Sequence, residues 1–481
     1  MKPLRRVAVG LLLPSALCAH AAIDFEPCVL TVPGGRSEAS AECGTWEVPL
    51  DPGDPDGERI ELFVARISAL SGEPEPDPFV VIAGGPGQAS TTFYAQARSA
   101  FSRIRRTRDI VLIDQRGTGS STPLSCENIE DEDALLASDA FVRLGAECVG
   151  GLSHDPAYFT TSVAVRDLER VRETLGYPSL NIYGVSYGTR VAQHYLKRYP
   201  QRVRTVILDG VVPPGLALGP GIAVDAQRAL DSLLARCAAS PECRDAYPNL
   251  NDQLPNLLTR VGASPPTITI PHPRSGAART LTLTDEMVAG IVRLLTYSPQ
   301  TAALIPLLVR AAAEGDHGPL AAQVLMVSED IYSALSLGMH FAVVCTEDVP
   351  FWGEVDREAI EETYLGSGQV DALGEVCKSW PRGFIDDDFA RPVATDVPVI
   401  LLSGDDDPVT PPSYAEMSAE GLTNHRHVSL SQQAHGQLAT GCVPRLMGAF
   451  VEGADPAVFD DPCLEAVGGF PIFITPMGPP P

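Results

Sequence analysis

Ser186 stands at the centre of Gly184-Val185-Ser186-Tyr187-Gly188, directly after the apolar run Leu180-Asn181-Ile182-Tyr183. A Gly-x-Ser-x-Gly string between a strand and a helix forces a sharp turn that lifts the serine hydroxyl above a sheet, and only glycine fits beside it. The bland reading of the pentapeptide alone is a serine capping a helix. The rest of the chain favours a nucleophile. A serine hydroxyl is weakly nucleophilic at its own pKa, so it needs an imidazole to take its proton and a carboxylate to orient the imidazole. In sheets of this kind the chain order is Ser, then acid, then His. The late sequence offers Ser403-Gly404-Asp405-Asp406-Asp407-Pro408 after one apolar run and Gln433-Ala434-His435-Gly436 after another. Asp407 is the expected orienting acid and His435 the expected base, with Asp405 and Asp406 as solvated turn acids. Earlier, Ala83-Gly84-Gly85-Pro86-Gly87 is a loop whose backbone can approach a substrate closely. The N–H groups of Gly85 and Tyr187 are the expected donors to an oxyanion developing during acyl transfer.

The elements around these residues read as alternating strands and helices. Residues 187–199 have helical periodicity and stop at Pro200; residues 205–210 form a buried-strand pattern. Strand, turn, helix and strand make a β-α-β unit, which implies a parallel sheet. Phe79–Ile82 and residues 109–113 are further strands, and residues 46–50 and 59–67 suggest an opening antiparallel hairpin. From 211 to 390 the alternation fades, and helices are expected over 224–237, 285–295, 302–313 and 328–344. Alternation returns at 397–402 and 427–430. The expected fold class is α/β: a mostly parallel central sheet flanked by helices, formed by residues 23–210 and 391–481, with a mainly helical cap inserted at 211–390.

The chain has 481 residues, 44% of them hydrophobic, enough for a large core. Its formal charge is −26, from 35 basic and 61 acidic residues. That balance argues against nucleic acid, which needs a basic face. Residues 1–22 join a basic head to a short apolar stretch with Ala19, Ala21 and Ala22 at its end. They read as a signal peptide, too short to span a membrane, and place the protein in the periplasm or outside the cell. No membrane span is expected. Setting Cys18 aside, the ten remaining cysteines are even in number, as disulfides require. They fall into the sequential pairs 28–43, 126–148, 237–243, 345–377 and 442–463, although spacing alone leaves connectivity open. No Cys-x-x-Cys appears, so no metal is expected.

Ala83 to Gly87, Asp114-Gln115-Arg116-Gly117, Gly184 to Gly188 with Thr189, Asp407-Pro408-Val409-Thr410-Pro411 and His435-Gly436, in that order, resemble the proline iminopeptidase and tripeptidyl aminopeptidase family of α/β hydrolases. Leu208-Asp209-Gly210-Val211, Cys345-Thr346-Glu347-Asp348 and Cys377-Lys378-Ser379-Trp380-Pro381 are similar to its secreted tripeptidyl branch. Ala83 departs from the iminopeptidases proper, which often have histidine there. The resemblance implies a secreted serine exopeptidase that releases a single amino acid to a tripeptide through an acyl-enzyme, without a cofactor. Its partners would be peptides with a free N-terminus. Such a substrate carries an ammonium, which a cap carboxylate could bind by a charge-assisted hydrogen bond. Glu347 is the expected carboxylate, with Asp348 second, and Arg116 is expected to pin loops near the oxyanion site. Two other functions use the same residues differently. A carboxylesterase or lipase would employ the same triad. A binding protein that kept a dead hydrolase fold would show a degraded triad, and here every element is present.

Overall fold

Short runs of branched and aromatic residues, apolar on both faces, build the centre of the sheet, as strands covered on both sides require. The computed structural model describes residues 23–35, 37–126 and 136–479, and the expected signal peptide lies outside them. The strands in chain order are β1 (Glu26–Thr31), β2 (Glu38–Pro49), β3 (Arg59–Ile67), β4 (Phe79–Ile82), β5 (Ile110–Ile113), β6 (Leu180–Val185), β7 (Val203–Asp209), β8 (Thr267–Pro271), β9 (Ala278–Thr282), β10 (Val399–Gly404) and β11 (His425–Leu430). Nine of them form one sheet in the order β1-β2-β3-β5-β4-β6-β7-β10-β11. From β5 to β11 the pairs are parallel, while β1, β2 and β3 are antiparallel and β3 joins β5 antiparallel. The chain therefore belongs to the α/β class, with a mostly parallel sheet. Alternate side chains of each central strand enter opposite layers. Val80, Ile82, Val111 and Ile182 pack on one face. Phe79, Val81, Leu112 and Tyr183 pack on the other.

Between β7 and β10 the chain leaves the sheet for a mainly helical insert, which contains the separate β8-β9 hairpin. The insert has its own core, in which Leu230, Leu257, Val288, Ile291, Val309 and Leu320 are buried.

Several elements differ from the expectation. The hairpin of β2 and β3 gains an outer strand, β1, fastened by the Cys28–Cys43 disulfide. The helix expected over 302–313 is two pieces, Pro299–Ala302 and Ile305–Ala313. Pro306 lies in the first turn of the second piece, where its missing N–H costs no helical bond. The helix expected over 328–344 divides into Gly318–Ala334 and Leu337–Glu347. At the break, Leu335 bridges Gln88, and the Ser336 N–H donates to the Gly87 carbonyl at 2.9 Å. The backbone leaves helical geometry there to grip the glycine loop. All five disulfides join sequential cysteines: 28–43, 126–148, 237–243, 345–377 and 442–463. Among the described residues no helix is long and apolar enough to cross a membrane.

Candidate active site

Ser186 sits between β6 and the helix Tyr187–Arg198 with φ +55° and ψ −127°. A non-glycine residue held there carries backbone strain of about 1–3 kcal/mol, which its surroundings must enforce. They do so from several directions. The Ser186 N–H donates to the Asp209 carbonyl at 2.9 Å, and the Ser186 carbonyl accepts from the Thr189 N–H at 2.8 Å and its hydroxyl at 2.6 Å. A β-carbon on Gly184 would strike the Gly188 carbonyl, and one on Gly188 would strike the carbonyls of Ile82 and Ala83. Gly188→Ala is therefore expected to lower folding stability by about 2–3 kcal/mol, the usual scale of overpacking, as read from the urea midpoint. An unchanged midpoint would mean that the turn is looser than its contacts imply.

Asp407 follows β10 and is fully buried. Its Oδ1 accepts from the N–H groups of Val409 (3.0 Å) and Thr410 (2.8 Å), and its Oδ2 accepts from the Thr410 hydroxyl (2.7 Å). The same Oδ2 lies 2.8 Å from His435 Nδ1. Nδ1 therefore carries the proton, since a carboxylate only accepts, and Nε2 keeps its lone pair. Burial alone would push the Asp407 carboxyl up, but the His435 charge and these hydrogen bonds hold it below its ordinary value. Burial alone would lower the His435 pKa, and the facing Asp407 outweighs it, so His435 is raised above the ordinary imidazole value. Asp405 instead accepts from the Ser429 hydroxyl, and Asp406 faces Arg236 at 3.8 Å.

The base and the serine converge on the end of β7. A β-carbon on Gly210 would lie 2.9 Å from His435 Cε1, and Gly210 follows Asp209, whose carbonyl holds the Ser186 N–H. Ser186 is partly exposed, and its hydroxyl makes no hydrogen bond among the described residues. Bonds of this kind are often long in a free enzyme and tighten when substrate binds. The glycine loop lies against the same serine: a β-carbon on Gly84 would be 2.9 Å from Ser186 Cβ and 3.5 Å from its Oγ. Gly85 has φ +107°, a conformation that favours glycine. Tyr187 opens its helix, so its N–H has no intrahelical acceptor.

Three side chains differ in role from the sequence expectation. Arg116 does not reach the oxyanion loop. Its guanidinium pairs with Asp167 at 2.7 and 2.9 Å and donates to the carbonyls of Leu50, Tyr158 and Pro49, which ties β2 and the loop at Tyr158 to the helix Thr161–Leu175. Asp114 performs the expected pinning instead, accepting from the Thr91 N–H and hydroxyl in the helix Ser90–Ala97 that follows the glycine loop. Glu347 is also not free to meet an ammonium. Its side chain is fully enclosed, and its oxygens accept from the Thr161 N–H (2.6 Å) and hydroxyl (2.8 Å), with Arg190 at 3.6 Å. Burial, partly offset by Arg190 and Thr161, pushes its carboxyl up to about 7. Asp348 is likewise engaged, paired with Arg190 at 2.7 Å and accepting from the Leu218 N–H at 2.8 Å. Both acids brace the helix behind the serine turn, since Arg190 and Tyr187 belong to it and the Tyr187 hydroxyl bonds the Thr161 hydroxyl at 2.7 Å.

Other residues around the site carry no motif. Arg228, in the insert helix Gly221–Ala239, donates to the carbonyls of Asp405 (2.5 Å) and Asp407 (2.6 Å). Tyr297, just after the insert helix Asp285–Leu295, accepts the His435 N–H on its carbonyl at 3.1 Å. Its ring meets the imidazole edge-on, with centroids 5.2 Å apart. Both look like ordinary helix-surface or turn residues in the sequence, and only the tertiary arrangement distinguishes them.

Two family models match the chain: residues 77–245 match the α/β hydrolase fold, and residues 362–463 match the TAP-like protein model. The serine protease Hip1 of Mycobacterium tuberculosis (strain ATCC 25618 / H37Rv) is 27% identical over 435 residues, which cover 81% of this chain and 80% of that protein. The tripeptidyl aminopeptidase of Streptomyces coelicolor is 31% identical over 227 residues, covering 44% of this chain and 41% of that protein. Carboxylesterase B of Mycobacterium tuberculosis (strain CDC 1551 / Oshkosh) is 28% identical over 415 residues, 77% and 76% of the two chains. The sheet order, the strained serine turn and the first matched segment together make this chain an α/β hydrolase, and its C-terminal part is similar to the TAP-like protein model.

Proposed function

We propose that the protein is an exported serine exopeptidase that removes an amino acid to a tripeptide from the N-terminus of peptides. The observation that carries the chemistry is the 2.8 Å contact between His435 Nδ1 and buried Asp407, with the base packed over Gly210 beside the strained serine turn. In this reading His435 Nε2 takes the Ser186 proton as Oγ attacks the scissile carbonyl carbon. The oxyanion is met by the N–H groups of Gly85 and Tyr187. The imidazolium, held by Asp407, then gives its proton to the departing amine, leaving an acyl-Ser186 ester. A water deprotonated by the same Nε2 attacks that ester, and Ser186 recovers its proton as the acid leaves. No step calls for a metal or an organic cofactor. The insert would act as the cap that limits how much of the peptide enters. The relatives named serine protease and tripeptidyl aminopeptidase support a peptide substrate. The five disulfides support an oxidising compartment, periplasm or medium.

The test is mass spectrometry of the products from a mixed peptide set, each peptide supplied with a free and with an acetylated N-terminus. Release of one to three residues from the free forms only is the expected result. The relative named carboxylesterase B favours a second reading, an esterase with the same triad. Rapid cleavage of simple esters with every peptide left intact would establish it and overturn the first. Because Glu347 is walled off by Thr161 and Arg190, Glu347→Gln is expected to reduce ester and free-amine turnover by the same factor and to lower the melting temperature. A selective loss on free-amine substrates would restore it as the ammonium anchor.

A further inference from the structure

Asp209 is a buried carboxylate that the catalytic steps leave unused, although it touches both halves of the site. Its main-chain carbonyl accepts the Ser186 N–H at 2.9 Å. Its side chain is fully buried, and its two oxygens accept the Gln437 N–H at 2.7 and 2.8 Å. Oδ2 also accepts the Tyr183 hydroxyl at 2.8 Å. Gln437 lies two residues beyond His435, and its side-chain amide donates to the Ala434 carbonyl at 2.6 Å, closing the loop around the base. Asp209 is central in the sheet, opposite Val185 on β6 and Leu402 on β10. Gly210, next in the chain, has no side chain, and a β-carbon there would come within 3.2 Å of His435 Nδ1.

We propose that Asp209 is a positioning residue for the catalytic base: it anchors the His435 loop to the strand that also holds the serine turn, and its negative charge adds to that of Asp407 in the surroundings of the imidazole. The proposal rests on the serine-hydrolase reading, not on exopeptidase specificity. The groups around His435 are Asp407 and Thr410 from the loop after β10, Asp209 from β7, and Tyr297 and Arg293 from the insert. Asp407 and Asp209 raise the His435 pKa, and Arg293 opposes them. Burial pushes the Asp209 carboxyl up to about 6, against the bonds from Tyr183 and Gln437, so it is ionised near neutrality and protonated in mild acid.

The experiment measures the rate of Ser186 modification by a fluorophosphonate from pH 5 to 9 for wild type and Asp209→Asn, with folding checked by circular dichroism. For Asp209→Asn the plateau rate should fall about a hundredfold, the scale of a misplaced catalytic group. The acid limb should also move to lower pH, because the imidazole loses one of the charges that favour its protonation. A residue that served only the fold would lower the plateau and leave the limb in place. An unchanged plateau, or an unshifted limb, overturns the proposal. If Asp209→Asn does not fold, the wild-type profile decides. With both Asp209 and His435 titrating, the rate below about pH 6 should steepen toward about a hundredfold per pH unit, because two protons inactivate the enzyme. A limb of about tenfold per unit throughout overturns the proposal. Wild type that does not label at Ser186 at all overturns the serine-hydrolase reading and takes the role of Asp209 with it.

Discussion

Ser186→Ala is expected to abolish fluorophosphonate labelling and to lower turnover by about 10⁶-fold, the scale seen when the nucleophile of a serine hydrolase is removed. His435→Ala should cost about as much, and the double variant little more than either alone, because the two groups act as one unit. The structure makes this a demanding test. The serine turn and the base loop meet at the end of β7, with the Asp209 carbonyl on one side and Gly210 beneath the imidazole on the other. If the two did not work together, the losses would multiply. Rates are measured on a peptide anilide with a free N-terminus, with melting curves to confirm that each variant is folded. Full labelling of Ser186→Ala would assign the nucleophile to another hydroxyl.

Asp407→Asn is expected to lower turnover by about 10⁴-fold near neutral pH while leaving the fold intact. The hydrogen bonds explain why so small a change is severe. Val409 and Thr410 both direct N–H groups at Oδ1, so an asparagine there would turn its amide oxygen toward them. Its NH₂ would then occupy the place of Oδ2, facing His435 Nδ1 and the Thr410 hydroxyl. A donor facing Nδ1 drives the imidazole proton to Nε2, and the lone pair that should accept from Ser186 is lost. The pH dependence has a definite sign. Burial disfavours the imidazolium, and Asp407 supplies the largest opposing effect, so the wild-type acid limb should lie above the ordinary imidazole pKa. Removing the charge should move that limb to lower pH, and residual activity should persist into more acidic buffer. A limb at the same pH in both proteins would show that Asp407 does not govern the protonation of the base.

The parallel sheet and the serine turn were legible in the sequence because each is a local pattern. Phe79–Ile82 and Ile110–Ile113 are uninterrupted apolar runs, Leu180–Val185 is broken only by Asn181 and Gly184, and the glycines flanking Ser186 are demanded by carbonyls within a few residues or on the neighbouring strand. Asp407 and His435 could be placed because each follows a late strand. The enclosure of Glu347 has a physical cause that the sequence does not display. An acid beside a cysteine in the insert reads as available, and nothing local shows that Thr161, 186 residues away in sequence, fills both its oxygens. The break at Ser336 has a similar origin: helical periodicity continues through it, and only the reach to Gly87 reveals why the backbone departs. Arg228 and Tyr297 were invisible because their partners are backbone carbonyls and N–H groups of distant loops, which leave no mark on composition or spacing.

The insert meets each of the three loops that carry the chemistry. Ser336 holds the glycine loop, Arg228 grips the carbonyls around Asp407, and Tyr297 seats the backbone of His435. It is therefore as much a jig as the cap proposed above. A chimera that exchanged this segment for a relative's, to acquire a different substrate range, would have to reproduce those three pegs, or it would inherit a sound sheet whose working parts no longer align.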